Sequence, residues 1–65
     1  MKNLRMKAAR AARNLSQQQL AEMVGVSRQT INAIENDRYN PTLILAMKLA
    51  RILKTTVENL FQLDD

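Results

Sequence analysis

Cysteine, histidine and tryptophan are absent from this 65-residue sequence, glycine and proline occur once each, and Tyr39 and Phe61 are its two aromatic residues. Each absence closes a route. Without cysteine no disulfide can staple so small a fold, and without cysteine or histidine there is no soft-ligand metal centre. The carboxylates are scattered and no glycine-rich phosphate loop is present, so the sequence reads as a non-enzyme with no cofactor and no evident small-molecule ligand. The longest apolar run, residues 43–47, is far too short to span a membrane, and no leader of signal-peptide type opens the chain. A cysteine-free chain without a leader is expected in the cytoplasm. Valine, isoleucine and aromatics are sparse while helix formers dominate, which favours an all-α fold.

What is present is basic and unevenly placed. The formal net charge is +4 and the isoelectric point about 10.1. Lys2, Arg5, Lys7, Arg10 and Arg13 fall in the first fifteen residues without a single acid, whereas Glu58, Asp64 and Asp65 make the last eleven acidic. A small basic chain points to a polyanionic partner, nucleic acid ahead of a membrane surface. Membrane binding would need bulky apolar anchors beside the basic residues, and the first segment offers alanines there instead.

Periodicity and caps divide the chain, read as one domain over 1–65, into five short helices. The first covers about residues 4–14, with Met6, Ala9 and the stem of Arg13 inward, closing on Leu15, and with Asn14 as its stop. Ser16-Gln17-Gln18-Gln19 has the form of a capping box that opens a second helix with Leu20, Ala21 and Val24 on its buried stripe. Gly25 ends it, where positive φ is needed. Ser27 caps the third helix, in which Ile31 and Ile34 point inward and Arg28, Gln29, Asn32 and Ala33 outward. Residues 36–41 form a loop, the fourth helix covers about 42–53, and a short fifth covers about 56–61. Leu63, Asp64 and Asp65 are a candidate short strand.

The second and third helices, joined by a three-residue turn that begins with glycine, have the form of a helix-turn-helix over residues 16–35. Small Ala21 lets the helices cross closely, Gly25 relieves the turn, and Ile31 fills the gap between them. Arg28 is the informative residue. It follows the cap directly, where the partial positive charge of a helix N-terminus disfavours a cation by a few tenths of a kcal/mol. A cation placed there gains if an external anion approaches.

The stretch LSQQQLAEMVGVSRQTINAIENDRYNPTLILAMKLARIL, followed by TTVENLF, resembles the Cro and C1 repressor type of helix-turn-helix, also called the Xre family, across residues 4–61. RQTIN…IE…RYNP(S/T)L is most similar to its small stand-alone regulators, which include the cytolysin-type repressors. The resemblance implies a lambda-repressor-like five-helix fold, and a dimeric bacterial or phage-type regulator that binds double-stranded DNA. It places Ser27, Arg28, Gln29 and Thr30 in the major groove, with Asn32 one turn on. Arg28 suits guanine O6 and N7, Gln29 suits adenine N6 and N7, and Thr30 suits a thymine methyl or a phosphate. Against this stands the plainer reading of Gln29 and Asn32 as a solvated helix face. The resemblance further implies phosphate contacts from Gln17, Ser27 and the loop residues Asn36, Arg38, Tyr39 and Asn40, which fix register without reading sequence. Tyr39 is equally suited to covering helix four. Arg10 and Glu35 are implied as an internal ion pair tying the first helix to the third.

Helix four carries apolar residues around most of its circumference, where an ordinary surface helix shows one stripe. The economical answer is a two-fold dimer, and Ile44, Leu45, Ile52, Phe61 and Leu63 are the partner-facing candidates. Periodicity alone does not choose among Ile44, Leu45, Met47 and Ile52. The rival function is an interaction module of the same fold, such as an antitoxin masking a toxin. That role does not call for Arg28 and Gln29 exposed together.

Overall fold

The computed structural model describes residues 3–61, and all its regular elements there are helices: α1 (Leu4–Ala12), α2 (Gln17–Val24), α3 (Arg28–Glu35), α4 (Leu43–Ile52) and α5 (Val57–Leu60). The lambda-repressor-like, all-α expectation holds. The candidate strand at Leu63, Asp64 and Asp65 lies outside the described residues.

Each helix begins on a side chain that accepts a hydrogen bond from a backbone amide three residues on. These caps are Asn3, Ser16, Ser27, Thr42 and Thr56. At Ser16 the capping box is complete: Gln19 N–H donates to Ser16 Oγ (3.0 Å) and Ser16 N–H donates to Gln19 Oε1 (2.8 Å). An N-cap of this kind contributes about 1 kcal/mol. For helices of four to ten residues, too short to persist alone, such caps help fix where each begins.

The C-termini share a second device. Asn14, Gly25, Asp37 and Lys54, just past α1, α2, α3 and α4, all take positive φ (56°, 81°, 60° and 57°). The following amide then reaches back five residues: Leu15 N–H to Arg10 O, Val26 to Ala21, Arg38 to Ala33 and Thr55 to Ala50, at 2.8–3.2 Å. This left-handed stop satisfies carbonyls that the helix end would leave unpaired and turns the chain sharply. Glycine performs it once and asparagine and aspartate twice more, as residues tolerant of that region. Lys54 performs it without such help, and nothing in the sequence pattern announces it.

The core is built from Met6, Leu20, Ile31, Ile34 and Leu49, all essentially inaccessible, with Ala21, Val24, Leu45, Ala46, Ala50, Leu53 and Leu60 around them. Burying each of the larger side chains contributes about 1.5–3 kcal/mol. Three expectations need correction. Arg13 is exposed, since α1 ends before it and its stem has no inner face to join. Leu45, expected to face a partner, is 9% exposed and belongs to the chain's own core. Residues 45, 46, 49, 50 and 53 make one buried stripe, so α4 is not apolar on every side in equal measure. Ile52 and Phe61 are half-buried against that same core. The surplus apolar surface of α4 is instead Leu43, Ile44 and Met47, exposed by 69%, 68% and 53%.

Candidate DNA-reading face

The α2–turn–α3 unit sets the site. Gly25, Val26 and Ser27 separate the two helices, with Ala21 and Ile31 buried between them. Buried Ile31 and Ile34 fix the rotation of α3, so Arg28 and Gln29 on its first turn stand exposed. No acid occupies that first turn, and the same holds for α1, α2 and α4. The partial positive charge of the α3 N-terminus and the Arg28 guanidinium therefore add at one place. Thr30 is half-buried; its hydroxyl lies 2.9 Å from that of Ser27, whose Oγ also accepts from Thr30 N–H (3.2 Å). Ser27 is thus engaged as a cap, and Thr30 presents its methyl group more freely than its hydroxyl.

Behind the exposed pair lies a chain of polar side chains. Arg10 grips Glu35 through Nε to Oε2 (2.7 Å) and Nη2 to Oε1 (3.2 Å), and its Nη1 donates to the Leu15 carbonyl (2.8 Å). The expected tie between α1 and α3 is therefore present, with Glu35 only 4% exposed. Gln17 Nε2 also donates to Glu35 Oε1 (3.1 Å), and Gln17 Oε1 accepts from Asn32 Nδ2 (3.4 Å). Asn36 Nδ2 in turn donates to Asn32 O (2.8 Å) and to Asn32 Oδ1 (3.2 Å). Gln17 and Asn32 are both half-buried, so each is part interior linkage and part surface. Asn32 is not simply a solvated helix face.

In the loop after α3, Arg38, Tyr39 and Asn40 are exposed, and Tyr39, 45% exposed, is not among the residues packed on the core. Asp37 takes the left-handed stop and aims the loop from there. Asn3 was not singled out in the sequence, yet it joins three elements. Its side chain caps α1, its N–H donates to Glu35 O (2.8 Å), and its Nδ2 donates to Leu60 O (2.8 Å). An asparagine before a helical pattern signals the cap; the two long-range bonds leave no trace in sequence. No cluster of potential metal ligands occurs among the described residues, and no helix there is long and apolar enough to cross a membrane.

A glycine-started turn between two short crossing helices, with an exposed arginine and glutamine opening the second, defines a DNA-binding helix-turn-helix fold of the transcription-regulator class. The helix-turn-helix family profile matches residues 6–60, and the chain belongs to that family, in its Xre or Cro/C1 type. It is similar along its whole length to the HTH-type transcriptional regulator MJ0272 of Methanocaldococcus jannaschii, with 48% identity over 65 residues and 97% of that protein covered. It also resembles the immunity repressor of Bacillus phage phi105, at 54% identity over 39 residues, which are 60% of this chain and 27% of that one. Among solved structures, that of the biofilm master regulator SinR in complex with DNA superposes with a TM-score of 0.80 at 31% identity. That match covers 92% of this chain and 97% of the other.

Proposed function

We propose that the chain is a cytoplasmic, non-enzymatic repressor that binds as a homodimer to a palindromic operator and reads it through the major groove. The observation that carries this reading is the exposure of Arg28 and Gln29 on the first turn of α3, held there by buried Ile31 and Ile34. In this reading Arg28 forks to a guanine, Gln29 pairs with an adenine, the Thr30 methyl meets a thymine and Asn32 lies one turn deeper. Gln17 keeps one N–H for a phosphate, the α3 amides near Ser27 face another, and Arg38, Tyr39 and Asn40 hold the flanking backbone. The phage repressor relative and the DNA-bound SinR neighbour support DNA binding and repression.

The dimer rests on α4. Leu43, Ile44 and Met47 are exposed together, and Ile52 and Phe61 lie half-covered beside the core, with Leu63 beyond the described residues. Two copies joined there would set their α3 helices for half-sites about 34 Å apart.

Selection from a random DNA library, then titration over a salt series, tests the reading. Arg28→Ala should lose about 1–3 kcal/mol and relax one base pair, while Arg38→Ala should weaken all sequences alike and lower the salt slope by about one. An Arg28→Ala loss that is equal on every sequence would move that residue to the phosphate class. Sedimentation of wild type and Ile44→Glu tests the dimer, with a monomeric wild type at high concentration as the refuting result.

A further inference from the structure

Three helix ends meet on Asn3. Its Oδ1 accepts from Met6 N–H (3.0 Å) in the first turn of α1. Its own N–H donates to Glu35 O (2.8 Å), where α3 ends, and its Nδ2 donates to Leu60 O (2.8 Å), where α5 ends. The last carbonyls of a helix have no partner inside it, so both of these acceptors need a donor from elsewhere.

The hydrogen bonds sort the chain into two bodies. α1, α2 and α3 are tied by Arg10 to Glu35 and the Leu15 carbonyl, and by Gln17 to Glu35. α4 and α5 are tied by Thr55 N–H to Ala50 O (2.9 Å). The first body carries Arg28 and Gln29; the second carries exposed Leu43, Ile44 and Met47 and half-buried Phe61. What joins them is the loop 36–42, the shared apolar core and the Asn3–Leu60 bond. Among the described residues, the other hydrogen bonds of 55–61 run to α4 or within that segment. Apolar burial is non-directional, whereas a hydrogen bond weakens steeply as its angle closes.

We infer that Asn3 is a positioning residue that sets the angle between the DNA-reading body and the dimer-forming body, and with it the half-site spacing that two copies accept. The lever is short but sufficient. α3 has eight residues and is about 12 Å long, so a tilt of about 10° swings its Arg28 end by about 2 Å. Opposed tilts in two copies change their separation by up to about 4 Å, more than the rise of about 3.4 Å per base pair.

This inference rests on the dimeric, DNA-reading function proposed above, and its test separates the two. Two selected half-sites are placed as an inverted repeat and their spacing is varied one base pair at a time. Wild type, Asn3→Asp, Asn3→Ala and Thr56→Ala are compared, with circular dichroism confirming that each is folded. Asn3→Asp is the informative variant, because it keeps an acceptor for Met6 N–H and loses the donor to Leu60 O. Thr56→Ala is the control, since it removes the cap of α5 and leaves the Asn3 bridge in place. Wild type should favour one spacing over its neighbours by about tenfold or more. Both Asn3 variants should fall to about threefold or less, with base preference inside each half-site unchanged, and Thr56→Ala should keep the wild-type profile. An Asn3→Asp profile as sharp as wild type would reduce Asn3 to a cap and overturn the inference. So would a Thr56→Ala profile as flat as that of Asn3→Asp, since sharpness would then only follow stability. A wild type that binds a lone half-site as tightly as the repeat would overturn the dimeric function, and this inference with it. A second readout needs no DNA. In residual dipolar couplings of the free protein, the amides of α1–α3 and of α4–α5 should fit one alignment frame in wild type and two in Asn3→Asp. One unchanged frame in both would refute the clamp.

Discussion

Replacing Arg10 by methionine keeps much of the side chain's bulk and removes its guanidinium. Three hydrogen bonds disappear, two to Glu35 and one to the Leu15 carbonyl. Glu35 is left with Gln17 as its side-chain partner in a site where its side chain is 3% exposed. Removing one partner of a buried pair strands a charge and costs about 3–5 kcal/mol. A 65-residue chain holds in total about 3–10 kcal/mol, so Arg10→Met should sit near the edge of unfolding at room temperature. Urea titration followed by far-ultraviolet circular dichroism reads this directly. The double variant Arg10→Met with Glu35→Leu removes both charges, and should recover to within about 1 kcal/mol of wild type, because apolar replacement of a buried pair is commonly neutral or better. Recovery of stability should not restore base discrimination, since Gln17 then loses the acceptor that orients it. An Arg10→Met loss below about 1 kcal/mol would mean that the pair behaves as a solvated surface bridge, and the argument from burial would fail.

Three further stability effects follow from the chain reversals and the N-terminal cap. Lys54→Gly should raise the melting temperature, by about 0.5–1 kcal/mol in stability, because the left-handed penalty removed exceeds the flexibility added to the unfolded chain. Gly25→Ala should cost about 1–2 kcal/mol through its φ of 81° alone, since a Cβ there meets no atom within 4 Å; a neutral result would show that the turn relaxes. Asn3→Ala should cost about 2 kcal/mol or more in thermal melts, as it loses a cap and leaves the Leu60 carbonyl without that donor. A loss no larger than that of Thr56→Ala would reduce Asn3 to an ordinary cap.

Much of this architecture was legible because the signals were local. Ser16, Ser27 and Gly25 act within one turn of themselves, and Leu20, Ile31 and Ile34 follow the helical period. Those residues place α2 and α3, and so Arg28 and Gln29, from the sequence itself. The failures share a different cause. Arg13 depended on where α1 stops, and Leu45 on how α4 is rotated, which only its packing against α2 and α5 decides. A helix with apolar residues on two sides does not declare which side is inward. Asn3 was missed because its bonds run to Leu60 and Glu35, and composition does not specify partners.

Arg28 and Gln29 project from α3 without contributing to the core, whereas Asn32 and Asn36 are wired to the Glu35 carboxylate. The face proposed to read DNA is therefore split between positions free of internal bonds and positions tied into them. In the proposed reading, positions 28 and 29 can be randomised to shift specificity without disturbing the core. Position 32 is different, because replacing Asn32 removes the Oδ1 that accepts from Asn36 and the Nδ2 that donates to Gln17.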